Sequence, residues 1–219
     1  MKKRPSLLAG EDLPSEPRQT RSLEKRERLK EAGLALFGEK GYESTSVEAI
    51  AQRANLAVGS FYQHYRSKRQ LLLALMDELL DKLSQLEFQP GAAADTRSVV
   101  SALLSRAFAH DLRYPGAYRA WQEAALTDAD LARKQKQIHA WTTARVTAVF
   151  EMLVRLPGAR EGVDLSGLAR AMDSLFWSML AHAVRMPKAE IDRWVTSSTH
   201  LIYHALFKDA AQENGRDLN

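Results

Sequence analysis

The stretch that most limits what this chain can become lies between Lys40-Gly41 and the leucine run that opens at Leu71. Residues 42–68 are punctuated for two helices, each too short to bury a core alone, with about three residues between them. Thr45-Ser46-Val47-Glu48 reads as a capping box, Thr45 at the N-cap and Glu48 at N3, opening a helix whose buried face is Val47, Ile50, Ala51 and Ala54. Asn55-Leu56-Ala57 is a tight connection in which Asn55 can take the left-handed conformation that most side chains resist. A second helix is expected from Val58 to Tyr65, with Phe61 and Tyr65 on one side. Ala51 and Ala54 let the two helices approach, and Leu56 and Phe61 fill the corner. This is the pattern of a helix-turn-helix, whose second helix can enter a major groove roughly 12 Å wide.

Helical periodicity continues in both directions. Leu29, Ala32, Gly33, Leu36 and Phe37 recur at i, i+3, i+4, i+7 and i+8, and a glycine C-cap at Lys40-Gly41 ends that helix. Ser67-Lys68-Arg69-Gln70 is a second capping box and starts a helix that runs through Leu83 until the break at Gln89-Pro90-Gly91. About five more helices are expected, over roughly 96–113, 116–126, 128–155, 164–186 and 188–211. Their boundaries are Tyr114-Pro115-Gly116, a cap at Thr127-Asp128, Leu156-Pro157-Gly158 and an N1 proline at Pro187. No segment alternates apolar and polar residues with β-branched enrichment, and no repeat of 20 to 50 residues occurs. The expected fold class is all-α with about nine helices.

Charge separates the two parts of the chain. Residues 1–69 carry 14 Lys/Arg against 9 Asp/Glu, whereas the remainder carries 17 against 18, so the net charge of +4 sits in the first third. A basic module on a neutral body points to a polyanion, nucleic acid first and an anionic membrane surface second. The absence of cysteine excludes disulfides, thiolate zinc sites and thiol nucleophiles. The apolar run Leu71 to Met76 is far short of a membrane span. Too few apolar residues follow the basic start, Met1-Lys2-Lys3-Arg4, for a secretory signal, and the expected location is cytoplasmic.

The exposed side of the second short helix carries Val58, Gly59, Ser60, Tyr62 and His64, small or neutral groups, with no acidic residue between Val58 and Arg69. The run Gly41-Tyr42-Glu43-Ser44-Thr45-Ser46-Val47-Glu48-Ala49-Ile50-Ala51, followed by Val58-Gly59-Ser60-Phe61-Tyr62-Gln63-His64-Tyr65 and Arg66-Ser67-Lys68-Arg69-Gln70-Leu71-Leu72, resembles the N-terminal signature of the TetR (tetracycline repressor) family of bacterial regulators. The resemblance covers about residues 22–75. It implies that Thr45 and Ser46 touch backbone phosphate, that Val47, Val58, Gly59 and Ser60 face base edges, and that Tyr62, His64 and Lys68 hold phosphates. Arg18, Arg21, Lys25 and Arg26 are further candidates for phosphate or minor-groove contacts. Two residues depart from the family pattern: Asn55 stands where glycine is usual, and Ala57 replaces the usual Ser or Thr cap. The base-facing set holds no Arg or Asn for a bidentate contact, so readout is expected to lean on methyl contacts and DNA shape.

The resemblance further implies a homodimer on a palindromic operator, responsive to a small-molecule inducer. It divides the chain into a flexible basic arm (1–20), a DNA-binding domain (21–68), a connecting helix (69–88), a ligand-binding and dimerisation domain (89–212) and a flexible tail (213–219). Candidate ligand-binding residues are Phe108, Tyr118, Trp121, Gln122, Trp141, Arg145 and Trp177, an aromatic set with a few polar anchors suited to a lipophilic molecule. Candidate dimer-interface residues are Leu175, Met179, Trp194, Leu201 and Ala205 on the last two long helices. His200 and His204 share a helix face, but Leu201 stands where a zincin needs glutamate, so no metal is expected. No cofactor loop, nucleophile elbow or acid/base pair is recognisable, and no catalysis is expected. The competing reading is a helical carrier or enzyme whose N-terminal basicity is only surface.

Overall fold

In the computed structural model, which describes residues 3–14, 19–86 and 95–208, the apolar stripes read from the sequence close on one another. The elements run α1 (Thr20–Lys40), α2 (Val47–Arg53), α3 (Val58–Tyr62), α4 (Lys68–Ser84), α5 (Thr96–Asp111), α6 (Pro115–Ala125), α7 (Ala129–Leu153) and α8 (Leu165–His182). A 3-10 turn (Ala183–Arg185) and α9 (Lys188–Leu206) follow. No strand forms among the described residues. Helices α1 to α3 make the reader and α5 to α9 the body, with α4 between them.

The reader and body share one core. Leu29, Phe37, Ile50, Phe61 and Tyr65 of the reader belong to the same buried cluster as Tyr118, Trp121, Ile138 and Trp177 of the body. The closest approach is between α1 and α6. Gly116 opens α6 directly against α1, and a Cβ there would stand 2.1 Å from the carbonyl oxygen of Leu34. The two backbones can therefore pack this closely only at a residue with no side chain. Around this contact Arg119 donates to the carbonyl of Gly38 at 2.6 Å and pairs with Glu123 at 3.1 Å. Glu123 in turn accepts the backbone N–H of Tyr42 at 2.6 Å. A second cluster, including Val100, Leu103, Phe150, Leu153, Ala169, Ile202 and Phe207, fills the far end of the body.

The expected free arm is not what residues 3–14 form. Leu7 is fully buried in the shared core, its N–H donates to Asp77 at 2.8 Å, and Lys134 of α7 donates to its carbonyl at 2.9 Å. Arg4 pairs with Asp77 at 2.9 Å. Arg69, at the start of α4, pairs with Glu11 at 2.9 Å and Asp128 at 2.7 Å, and also with Asp130. The strap thus ties the start of α4 to the start of α7. Buried Leu7 and partly buried Glu11 are single anchors that leave no periodic signature in the sequence. Arg18, the 89–94 break and the tail 213–219 lie outside the described residues.

Other boundaries shift by small amounts for local reasons. Ser46, not Thr45, caps α2, its Oγ accepting from Ala49 N at 3.1 Å. The second short helix ends at Tyr62, with Tyr65 outside it. Pro115 is the first residue of α6, and Pro187 is the N-cap of α9 and not its first residue. Ser67 caps α4 as expected, and Asp128 caps α7.

Two outcomes follow. Gly116→Ala forces the α1 and α6 backbones apart and should cost about 1–3 kcal/mol in denaturant unfolding; no loss would mean that the contact is not tight. Leu7→Ala should cost about 2 kcal/mol by the same measurement, whereas a change within about 0.5 kcal/mol would mark the strap as surface.

Candidate nucleic-acid interface and body cavity

The turn between α2 and α3 folds as its residue types dictate. Asn55 has φ 52°, and Arg28 of α1 donates to the Asn55 carbonyl at 3.1 Å and also to that of Ala54. Ala57 begins α3 without a side-chain cap, so five residues are held in helical form mainly by burial of Phe61. Phe61 meets Tyr65 at 5.8 Å and Tyr62 at 5.6 Å between ring centroids. The outer side of α3 is left to solvent. Val58 is 36% and Tyr62 50% exposed, and a Cβ on exposed Gly59 would meet no atom within 4 Å.

The nine residues assigned to DNA fall into three groups. Ser46, Val58, Gly59 and Tyr62 are exposed, and Val47 is partly so. Lys68 is partly buried: its ammonium donates to the carbonyl of Tyr42 at 2.8 Å and sits 4.4 Å from the centre of that ring. It stands at the α1–α2 turn beside the start of α2.

Thr45, Ser60 and His64 are placed differently from the expectation. Thr45 is 1% exposed, and its hydroxyl donates to the carbonyl of Gly41 at 2.6 Å, so it braces the turn and does not face outward. The Oγ of Ser60 is buried with no hydrogen-bond partner, although the residue is at the surface. His64 is buried; burial, then the charges of Arg26 and Lys25, lower its pKa and keep the ring neutral. In segments this short, sequence pattern does not separate the inward side from the outward one. Gln63, beside Tyr62, is also exposed.

The body encloses a cavity of about 120 Å³. Tyr118, Arg145 and Trp177 of the expected ligand set line it, together with Asp111, Asp173 and Phe176 and the apolar side chains of Leu83, Leu104 and Val149. Phe108, Trp121, Gln122 and Trp141 are not in its wall. Trp121 is fully buried in the shared core, Gln122 donates to the Trp177 carbonyl at 3.4 Å, and the Arg145 guanidinium stands 5.1 Å from the Trp141 ring centre. Larger depressions between α5 and α9, about 660 Å³, and along α7 and α8, about 780 Å³, are open grooves.

Two carboxyls distinguish this cavity. Tyr118 Oη donates to Asp111 Oδ1 at 3.0 Å, and His139 Nδ1 is 2.5 Å from Asp173 Oδ2. Burial pushes the Asp111 carboxyl up to about 7; the charge of Asp173 adds to this, while Tyr118 and Arg113 oppose it. Because the unfolded chain ionises such a group near pH 4, folding takes up a proton, and the group's contribution to stability falls as pH rises from about 4 to about 7. Asp111 and Asp173 are 62 positions apart in sequence, and only the packing of α5, α6 and α8 brings them to one wall.

On the outer side of α8 and α9, Leu175, Trp194 and Leu201 line a shallow depression, and Leu201 is 53% exposed. Ala205 is partly exposed, but Met179 is 1% exposed within the shared core and does not belong to this face. The rings of His200 and His204 lie 4.1 Å apart, tilted at 59°, and Arg97 approaches both, at 3.3 and 3.1 Å. Among the described residues no helix is long and apolar enough to cross a membrane.

Residues 29–75 match the family of bacterial regulatory proteins, tetR family. The repressor KstR of Mycolicibacterium smegmatis is 32% identical over 78 residues, 36% of this chain and 36% of its own length. The chain thus spans about a third of the length of this curated relative. Solved structures share the fold across most of the chain. Salmonella enterica GusR superposes with a TM-score of 0.62 at 17% identity, covering 87% of this chain and 99% of its own. SmeT, the repressor of the Stenotrophomonas maltophilia multidrug efflux pump SmeDEF, superposes in its triclosan complex with a TM-score of 0.62 at 23% identity, covering 85% and 93%. Residues 29–75 therefore place the N-terminal part of this protein in the TetR family of bacterial regulatory proteins, and the rest of the chain follows the fold of these solved structures.

Proposed function

We propose that the chain is a dimeric DNA-binding transcriptional regulator, a repressor released from a palindromic operator when a lipophilic small molecule occupies the body cavity. The observation that carries the reading is the outer side of α3, where Val58, Gly59 and Tyr62 are presented to solvent on a helix too short to serve packing alone. Val58 and the Gly59 backbone lie against base edges, Tyr62 and Ser46 donate to phosphate, and Lys68 adds charge beside the α1–α2 turn. Basic residues of α1, Arg21, Lys25 and Arg26, supply further phosphate contacts. One such helix gives little discrimination. Two of them about 34 Å apart, joined through the α8–α9 face that carries Leu175, Trp194, Leu201 and Ala205, read a palindrome.

Release is a property of α6. Its Tyr118 lines the cavity, whereas Gly116, Arg119 and Glu123 on the same short helix hold Leu34, Gly38 and Tyr42 of the reader. A ligand that displaces Tyr118 therefore moves the helix on which the reader rests. SmeT bound to triclosan is the precedent, within this fold, for a lipophilic occupant of the protein. By linkage, operator DNA then weakens ligand binding by the same factor that ligand weakens DNA binding.

Gly59→Ala separates this function from folding. The new Cβ meets no protein atom, and alanine favours the helix by up to about 1 kcal/mol, so the melting temperature should hold or rise. Operator affinity in a gel-shift titration should fall by about tenfold or more as the methyl enters the groove contact. Unchanged affinity would remove α3 from the interface. For the unaltered protein, the dissociation constant should rise steeply with salt, and a flat dependence would overturn the DNA-binding reading itself.

A further inference from the structure

The cavity is small, and its polar wall is unusual for its size. Asp173 is 5% exposed, and Asp111 turns its carboxyl to the same space. Each has one oxygen engaged, Asp111 by Tyr118 and Asp173 by His139. Among the described residues no protein group donates to Asp111 Oδ2 or Asp173 Oδ1. Around them stand the rings of Tyr118 and Trp177, edge to face at 4.9 Å, and of Phe176. The wall also holds a cation, Arg145, but its guanidinium is directed at the end of α4, donating to the carbonyls of Leu83 at 2.9 Å and Leu86 at 3.2 Å.

We infer that the ligand of this cavity is a compact lipophilic cation, an ammonium group on a single ring or short chain, held by Asp111 and Asp173 with its body against Tyr118, Phe176 and Trp177. The inference rests on the cavity being the inducer site. Three features select this class. Two carboxyl oxygens that face the cavity with no protein donor are poorly matched by a neutral apolar occupant and are satisfied by the N–H groups of an ammonium. Aromatic faces add attraction for a cation and none for an anion. The volume, about 120 Å³, is on the scale of one benzene ring, so a one-ring amine enters with little rearrangement. Asp173 also lines the open groove between α7 and α8, beside His139, so its carboxylate stands between that groove and the cavity and marks the approach for a cation.

The test uses three probes of nearly equal shape on the full-length protein: 2-phenylethylammonium, propylbenzene and 3-phenylpropionate. Binding is followed by calorimetry and operator release by gel shift in the same samples. The ammonium should bind at least about tenfold more tightly than propylbenzene, and the carboxylate should not bind. Asp111→Asn and Asp173→Asn should each weaken the ammonium by about tenfold or more while leaving propylbenzene unchanged. Binding of propylbenzene by the variants shows that the cavity is intact. Asp111→Asn, which removes a buried ionisable group, remains usable even if Asp173→Asn does not fold.

Equal binding of ammonium and hydrocarbon, ammonium binding unaffected by either substitution, or no binding of the ammonium would overturn the inference. In each of those cases a protein that still binds operator DNA leaves the regulatory reading standing. Ammonium binding by a protein with no affinity for DNA supports the cation site and overturns the regulatory reading alone.

Discussion

The position of the reader on the body depends on a contact between two backbones. Where α6 begins, Gly116 lies against Leu34 and Gly38 of α1 with no room for a methyl group. This approach brings Arg119 within reach of the Gly38 carbonyl and Glu123 within reach of the Tyr42 N–H. Those hydrogen bonds fix the α1–α2 turn, where the Lys68 ammonium is lodged. A helix as short as α3, with no side-chain cap, has little stability of its own. Its orientation is inherited from α1 and α2, and theirs from α6.

The same helix forms a wall of the cavity through Tyr118, so the device that places the reader also faces that space. The strap formed by residues 3–14 acts in parallel. Arg69, where α4 leaves the reader, is bound at once to Glu11 of the strap and to Asp128 at the start of α7. Burial works against its charge, but Glu11 and Asp128 outweigh that and raise its pKa, so the guanidinium keeps its charge. Further along α4, burial alone would raise the Glu78 carboxyl, but Lys30 and Lys82 bring it down to about 2. The reader is thus anchored along α1 and α4 by paired charges, and at the α1–α6 crossing by shape.

How much of this is legible in the sequence depends on whether a residue's role is local. Asn55 in the left-handed turn, Ser67 capping α4 and Asp128 capping α7 are set by neighbours a few positions away, and the sequence shows them. The slip of the α2 cap from Thr45 to Ser46 is a choice between two adjacent hydroxyls that only the packing of the Gly41 turn decides. Leu7 carries no periodic signal because a single anchor in a turn outside any helix has no partner at i+3 or i+4. Asp111 and Asp173 come together only through the packing of helices far apart in sequence, which is why the cavity's acidic wall is invisible until the fold is in hand. Met179, one residue of an apolar stripe, is directed inward, whereas Leu175 on the same helix is partly exposed, since a stripe wider than one contact cannot say which edge faces the protomer's own core.

The central claim is that occupancy of the cavity is felt at the DNA-binding surface through α6. Ala107→Phe tests it most directly, because residue 107 lines the cavity from α5 and contributes nothing to the reader, while a phenyl ring there fills the space as a ligand would. Operator affinity of the folded variant is the quantity to measure, with its melting temperature as the check on folding. A fall of about tenfold or more is expected, consistent with a coupling of 1–3 kcal/mol between sites. An operator affinity equal to that of the unaltered protein, in a variant that remains folded with its cavity filled, would contradict the account.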